Sequence, residues 1–265
     1  MSDGQLLEAM IGAAIDAGRA IDDIYRSGFE IAHKADSSPV TTADHAAEHI
    51  ILERLAACAA STPVVAEESV AAGRVPAAAN EFFLVDPLDG TKEFIGRRGD
   101  FTVNIALVRS GTPALGVVYA PAKGRLFAGD ATRGAFALDQ DPRAAGSDTR
   151  TAIHVREAPA GLTAVASRSH RTPETDAYLA RYRVADVVSV GSSLKFCLLA
   201  EGKADLYPRM GPTMEWDTAA GHAVLLAAGG AVIGPGGAPL RYGKPEFRNS
   251  WFVASGSIAP LPFAA

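Results

Sequence analysis

The stretch VDPLDGTKEF, residues 85–94, is the feature that most narrows the choice of fold. It follows the apolar run FFLV, which reads as a buried strand. Asp86 and Asp89 then flank a Pro-Leu turn and are followed by Gly90. Carboxylates this close repel one another, so the strand must end where something offsets that repulsion. A second short apolar run, PVVAE at 63–67, also ends on acidic residues, Glu67 and Glu68. Successive buried strands are usually neighbours, so the two acidic ends should converge at one edge of a sheet.

The remaining pattern supplies layers for that sheet. Apolar residues recur near the helical period over 5–27 and again over 43–60. Residues 70–80 are rich in Ala, Gly and Pro and read as a loop. Short β-prone runs split by Gly, Pro and Asp fill 101–139, as in an antiparallel meander. From 163 onward strands alternate with helices: strands at 163–167, 187–191, 204–209 and 231–234, helices at 173–183, 192–200 and 216–228. That alternation predicts an α/β (α+β) layered architecture. The polar, Pro- and Gly-containing stretch 141–150 is the expected boundary between an N-terminal half, 1–145, and a C-terminal half, 146–265.

Net charge is −5, which gives no reason to expect a nucleic acid or membrane partner. Of the two cysteines, Cys58 and Cys197, both lie in apolar helical contexts without metal-ligand spacing and read as packed thiols. No basic, apolar leader opens the chain, and no run approaches the ~20 apolar residues of a membrane span. A cytoplasmic protein is the expectation, with peripheral inner-membrane association and a homodimer left open.

Four acidic positions fall at element ends. Glu67 and Asp86 close strands, and Asp44 and Asp217 open helices, where the dipole favours an anion. With Asp89 they form an all-oxygen set that suits a hard cation, Mg²⁺ before Zn²⁺. Pro87 presets the turn and Gly90 permits a tight backbone, which leaves the Leu88 carbonyl as a further ligand. The Thr91 hydroxyl then stands where it can orient a water. Two cations about 3.5–4 Å apart would ionise such a water and clamp a phosphoryl group. Asp89 alone would read as the cap of a turn. Taken together, Glu67, Asp86, Asp89 and Asp217 read as a metal site.

These residues bring a resemblance into view. AEES at 66–69, DPLDGT at 86–91 and WDTAAGHAVLLAAGG at 216–230 resemble the inositol-monophosphatase superfamily of Mg²⁺-dependent, lithium-sensitive phosphatases, in order and in spacing. VASRSH at 165–170 and GSSLKFCLLAEGKADLYPR at 191–209 look like its bacterial CysQ-type 3'(2'),5'-bisphosphate nucleotidase branch. The resemblance spans nearly the whole chain. It implies a layered α/β/α/β/α sandwich of the sugar-phosphatase type. It also implies two Mg²⁺ ions, one on Glu67, Asp86 and the Leu88 carbonyl, the other on Asp86, Asp89 and Asp217. Asp44 would support a weaker third ion and the Thr91 hydroxyl. Glu67 and Thr91 would orient the nucleophilic water, Gly90 and Thr91 would offer backbone N–H groups to the phosphate, and Glu68 would stand behind the ligands. The implied substrate is adenosine 3',5'-bisphosphate, a by-product of sulfate assimilation, cleaved to AMP and phosphate. The alternative is inositol 1-phosphate or another sugar monophosphate.

A bisphosphate leaves a second phosphate that the cations do not touch. Ser167, Arg168, His170, Lys195 and Arg209 are the candidates to receive it, with the SRSH turn and the GSS helix start as anion seats. Lys92 and Glu93 could pair with each other or face the substrate. HAAEH at 45–49 matches a zinc-protease pattern but reads better as a solvated helix flank, because no downstream helix offers a partner glutamate. His222 reads as a packed or rim residue. DPLDG misses the calcium-loop spacing, and GPGG at 234–237 lacks the Lys-Ser/Thr of a phosphate loop.

Overall fold

The computed structural model describes residues 1–34, 38–77, 79–144, 149–167 and 171–264. The periodic residues near the N-terminus form α1 (Asp3–Ser27), opened by a Ser2–Gln5 capping box. It ends at Gly28, whose φ of 103° suits glycine. A small hairpin, β1 (Ile31–His33) with β2 (Pro39–Thr41), leads into α2 (Thr42–Ala59). Thr41 and Asp44 cap α2 reciprocally.

Next come β3 (Val64–Ala66), the short helix α3 (Glu67–Ala71), β4 (Glu81–Asp89) and α4 (Thr91–Ile95). The meander follows as β5 (Thr102–Arg109), β6 (Thr112–Ala120), β7 (Arg125–Asp130), β8 (Gly134–Asp139) and β9 (Thr151–Ile153). Among the described residues these strands form a seven-stranded sheet in sequence order, β3 to β9. The rest of the chain is β10 (Leu162–Ser167), α5 (Pro173–Leu179), β11 (Val184–Val190), α6 (Leu194–Ala200), β12 (Leu206–Arg209), β13 (Thr213–Met214), α7 (Ala219–Ala227), β14 (Ala231–Ile233), β15 (Arg248–Asn249) and β16 (Phe252–Ser255). A second, five-stranded sheet runs β11-β10-β12-β16-β14.

Strand alternation makes the layers. Phe83 and Val85 of β4, with Val103, Ile105 and Leu107 of β5, face Met10, Ala14 and Ile51 of α1 and α2. Phe82 and Leu84, with Ala106 and Val108, face the opposite core with Phe196 of α6 and Ala220 and Val224 of α7. That core continues into Tyr207, Phe252 and Ala254 of the smaller sheet. The far side of the smaller sheet packs Ala164, Leu206 and Val253 against Tyr178 and Leu179 of α5. The order is therefore α/β/α/β/α. Full burial of a side chain such as Phe83 contributes about 1.5–3 kcal/mol. The middle helix layer lies close to the larger sheet because two strand positions lack side chains. A Cβ on Gly116 would sit 2.5 Å from the Ala220 carbonyl oxygen, and one on Gly129 would sit 2.7 Å from the Val224 Cα.

The structure moves several expected boundaries. The strand at 63–67 stops at Ala66, and Glu67 opens α3, part of which was expected to be loop. The helix expected over 216–228 begins at Ala219, so Asp217 lies in the turn before it. Residues 173–183 are helical only to Leu179, and β11 starts at Val184 rather than 187. β1, β2, β9, β13, β15, β16 and the short helix α4 were not foreseen. β11 is an edge strand, and the Val187 backbone N–H is taken by the Asp186 side chain at 2.8 Å. No described helix is long and apolar enough to cross a membrane.

Candidate active site

The motif at 86–89, expected to be a turn at the end of the strand, is a bulge within β4. Asp86 pairs with Asn104 of β5, and Asp89 pairs with Thr102. Three steps on β4 thus match two on β5, so β4 carries one extra residue. On a regular strand, residues three apart face opposite sides. The extra residue returns Asp86 and Asp89 to the same side, the one Phe82 and Leu84 already face. Pro87 has no N–H to lose from the ladder. The Leu88 N–H turns to Asp86 Oδ1 at 3.0 Å, while the Leu88 side chain anchors in the opposite core.

Register also brings in Glu67. β3 runs parallel to β4 with Ala66 beside Val85, so the next residues, Glu67 and Asp86, are adjacent. Asp217 arrives from the helix layer on the same side and accepts the Met214 N–H at 2.8 Å. Carboxylate oxygens of Glu67, Asp86 and Asp217 lie within 4.8 Å of one another. Asp89 stands beside this trio, with the Asn104 amide 3.4 Å from its Oδ2. All four line a cleft of about 280 Å³, together with Leu88, Gly90 and Thr91.

The wall behind the cluster is polar and buried. Asp44 Oδ2 accepts the Thr41 N–H and hydroxyl, each at 2.7 Å. Its other oxygen is 3.3 Å from the Thr91 hydroxyl, which lies 3.4 Å from the Leu88 carbonyl. Lys34 bridges Glu67 at 2.5 Å and Glu68 at 2.7 Å. Glu48, buried on α2, accepts the Glu68 N–H at 2.8 Å and the Ser69 hydroxyl at 2.7 Å.

Charge accumulates here beyond what Lys34 offsets. Burial, and then the charges of Glu67, Asp89 and Asp217, raise the Asp86 carboxyl well above its ordinary range. Burial, followed by Asp89 and Glu67, does the same to Asp217. Burial pushes Asp89 up to about 6, against the pull of Lys195, the Asn104 amide and the Ser193 N–H. Glu68 is raised to about 7 by burial. Carboxylates held together against their own repulsion fit a hard divalent cation. On the same strand face, Thr102 Oγ1 and Asn104 Oδ1 are buried without a hydrogen-bond partner among the described residues.

The same cleft also carries cations. Lys195 and Arg209 are both buried and line it with Ser167. The Lys195 ammonium lies 5.5 Å from the Tyr207 ring centroid and donates to the Ser192 carbonyl. Burial, with Arg209 nearby, lowers Lys195 to about 8 although Asp89 opposes the shift. Arg209 donates to the Pro212 carbonyl at 2.9 Å, while its buried Nε has no partner among the described residues. Arg168 and His170 lie outside the described residues. The GSS helix start, expected as an anion seat, brings Gly191 and Ser192 to the cleft lining, and the Ser193 N–H favours the ionised form of Asp89. Glu93 is buried and Lys92 exposed at the cleft rim.

A sequence model of the Inositol monophosphatase family matches residues 3–257. The chain belongs to that family. Among its curated relatives is the 3'(2'),5'-bisphosphate nucleotidase CysQ of Salmonella typhimurium, 45% identical over 250 residues, covering 93% of this chain and 98% of the relative. The namesake from Escherichia coli K12 is 44% identical over 253 residues, covering 94% and 99%. In three dimensions the chain resembles CysQ from Bacteroides thetaiotaomicron, with a TM-score of 0.81 and 42% identity, covering 96% of this chain and 98% of that one. The inositol monophosphatase of Anabaena is more distant, with 26% identity and a TM-score of 0.75 over 97% and 93%.

Within this family fold, two supporting residues escaped the sequence pattern. Glu48 sits inside HAAEH, where the histidine spacing is the more conspicuous feature. His45 and His49 are exposed as expected of a solvated flank, but Glu48 turns inward to α3. Lys34 opens a polar stretch with no periodicity to place it. A signal for Glu48 did exist: it lies four residues after Asp44 and seven before Leu55, on the buried helix stripe. His222 is packed, with its Nδ1 2.9 Å from the Tyr242 hydroxyl.

Proposed function

We propose that this chain is a metal-dependent phosphatase that removes the 3'-phosphate of adenosine 3',5'-bisphosphate, leaving AMP and phosphate. The observation that carries the reading is the pairing of two opposed features in one cleft. A carboxylate cluster and two buried cations, Lys195 and Arg209, line the same cleft. A monophosphate ester of a neutral polyol has no second anion to reward those buried cations, whereas a nucleoside bisphosphate does. The relatives at 44–45% identity, 3'(2'),5'-bisphosphate nucleotidases, point the same way.

Glu67, Asp86, Asp89, Asp217 and the Leu88 carbonyl would hold two Mg²⁺ ions, with Asp44 beside a weaker third. Bound there, the cations supply neutralisation of the carboxylates and Lewis acidity toward the scissile phosphate. The chain's own groups do the rest. Thr91 gives its hydroxyl proton toward Asp44, so its oxygen lone pairs are left to accept a hydrogen bond from a water. Glu67, held by Lys34, accepts the second hydrogen bond and fixes that water for attack at phosphorus. Gly90 and Thr91 present backbone N–H groups at the start of α4 to the phosphate oxygens. Lys195 and Arg209 hold the retained 5'-phosphate, with Ser167 beside them.

The test is Mg²⁺-dependent phosphate release from adenosine 3',5'-bisphosphate and from inositol 1-phosphate. The bisphosphate should be strongly preferred, and Arg209→Met should raise its KM with a smaller effect on kcat. Asp89→Asn should abolish turnover of both. A preference for the inositol ester overturns the substrate assignment.

A further inference from the structure

We propose that Ser193 is a positioning residue that ties the Asp217 segment to the start of α6 and thereby sets divalent-cation affinity. Asp89 comes from the bulged end of β4, and Asp217 from the turn before α7. Ser193 stands between them, almost completely buried. Its hydroxyl donates to the Asp217 main-chain carbonyl at 2.7 Å. Its backbone N–H faces the Asp89 carboxylate and favours the ionised form. One residue therefore holds the main chain of the Asp217 segment while standing beside the Asp89 side chain.

The preceding residue shows what it takes to place Ser193 there. Ser192 has a φ of 52°, a left-handed conformation that costs a non-glycine residue energy unless its surroundings hold it. The Ser192 hydroxyl accepts the Leu194 N–H at 3.4 Å, and its carbonyl accepts the Lys195 ammonium. The reversal at Ser192 lets α6 start with the Ser193 hydroxyl turned to the Asp217 main chain. Asp217 is otherwise tied through one oxygen to the Met214 N–H. Without the Ser193 hydroxyl its main chain loses a second tether, and the carboxylate can swing away from Asp86 and Glu67. Partners of this kind typically change metal affinity by about 10–100-fold.

The inference rests on the proposed metal-dependent hydrolysis for its activity readout alone. Ser193→Ala should raise the Mg²⁺ concentration for half-maximal phosphate release by roughly tenfold. KM for the bisphosphate at saturating Mg²⁺ should stay within about twofold, because the hydroxyl does not face the substrate. Calorimetric titration with Mn²⁺, without substrate, should show the same loss of affinity. Ser193→Thr, which keeps the hydroxyl, should bind Mn²⁺ like the parent. A Ser193→Ala protein with a lower Tm but an unchanged Mn²⁺ titration overturns the proposal, as does a Ser193→Thr protein that binds as weakly as the alanine variant. If the parent binds Mn²⁺ yet leaves the bisphosphate intact, the functional reading fails, and the calorimetric comparison still decides the role of Ser193.

Discussion

Glu48 on α2 accepts the backbone N–H of Glu68 on α3, 20 residues further along the chain. The helix that opens on Glu67 is thus capped by a neighbouring helix, since Ala66 offers no side chain for the purpose. Glu48→Ala leaves the Glu68 N–H and the Ser69 hydroxyl buried without acceptors, at a cost of about 1–3 kcal/mol. Thermal melts in EDTA should show the lower Tm. Because Glu67 rides on the same turn, the Mg²⁺ requirement should rise as well. A variant with parental Tm and parental Mg²⁺ response would show that the cap does not position Glu67.

Asp217→Asn should separate stability from function. It removes one charge from a cluster whose members raise one another's carboxyls well above their ordinary range. The asparagine oxygen can keep the Met214 N–H bond. In EDTA the variant should melt higher than the parent, yet it should gain less from added Mg²⁺ and lose turnover. Linkage makes a second statement about the parent in EDTA. Asp89 titrates near 6 when folded, against an ordinary value of 3.8. The folded protein therefore holds a proton that the unfolded chain releases in that window. This contribution to stability is present at low pH, declines as pH rises from 3.8 to about 6, and is level above it. Parent-minus-Asp89→Asn differences in EDTA melts across that range should reproduce the decline.

His222 has the opposite sign. Burial, then the charge of Lys244, lowers it to about 3 from 6.5. Below 6.5 the unfolded chain takes a proton that the folded ring refuses. Its contribution is complete above 6.5 and is lost as pH falls toward 3, by up to about 1.4 kcal/mol per pH unit. His222→Gln, which can still bond the Tyr242 hydroxyl, should remove that slope. Denaturant midpoints between pH 6 and 4 would check it, and identical slopes in parent and variant would count against it.

Asp186 guards the exposed edge of the smaller sheet. Its carboxylate takes the Val187 N–H on a strand whose other members are apolar or small, VADVVSV. Asp186→Val should turn β11 into an unprotected edge that pairs with other copies. Sedimentation velocity should reveal concentration-dependent association in the variant beyond that of the parent, with little change in Mg²⁺-dependent turnover.

The layers were legible in the sequence because burial imposes a period: 3.6 over 5–27, and near-continuous apolar runs at 64–66 and 82–85. The carboxylate cluster was legible because two buried strands that both end on acidic residues require a counter-charge where those ends meet. What escaped were features set by partners rather than by pattern. The bulge at 86–89 is defined by its register against Asn104 and Thr102, which no local signal in DPLDG announces. α7 begins at Ala219 because Asp217 is committed to the Met214 N–H, although the apolar pattern runs back to Trp216. Glu48 and Lys34 act through contacts 20 and 33 residues away in sequence.

The extra residue in β4 also limits how this segment can evolve. Whether Asp86 and Asp89 share a side of the sheet depends on the parity of the steps between them. Loss or gain of one codon there would not weaken the cluster by degrees. It would turn one aspartate into the oily layer beneath α1 and α2 and leave its partner alone. The segment can therefore drift in the identity of its residues but not in their number, and descendants that keep the chemistry must keep the count.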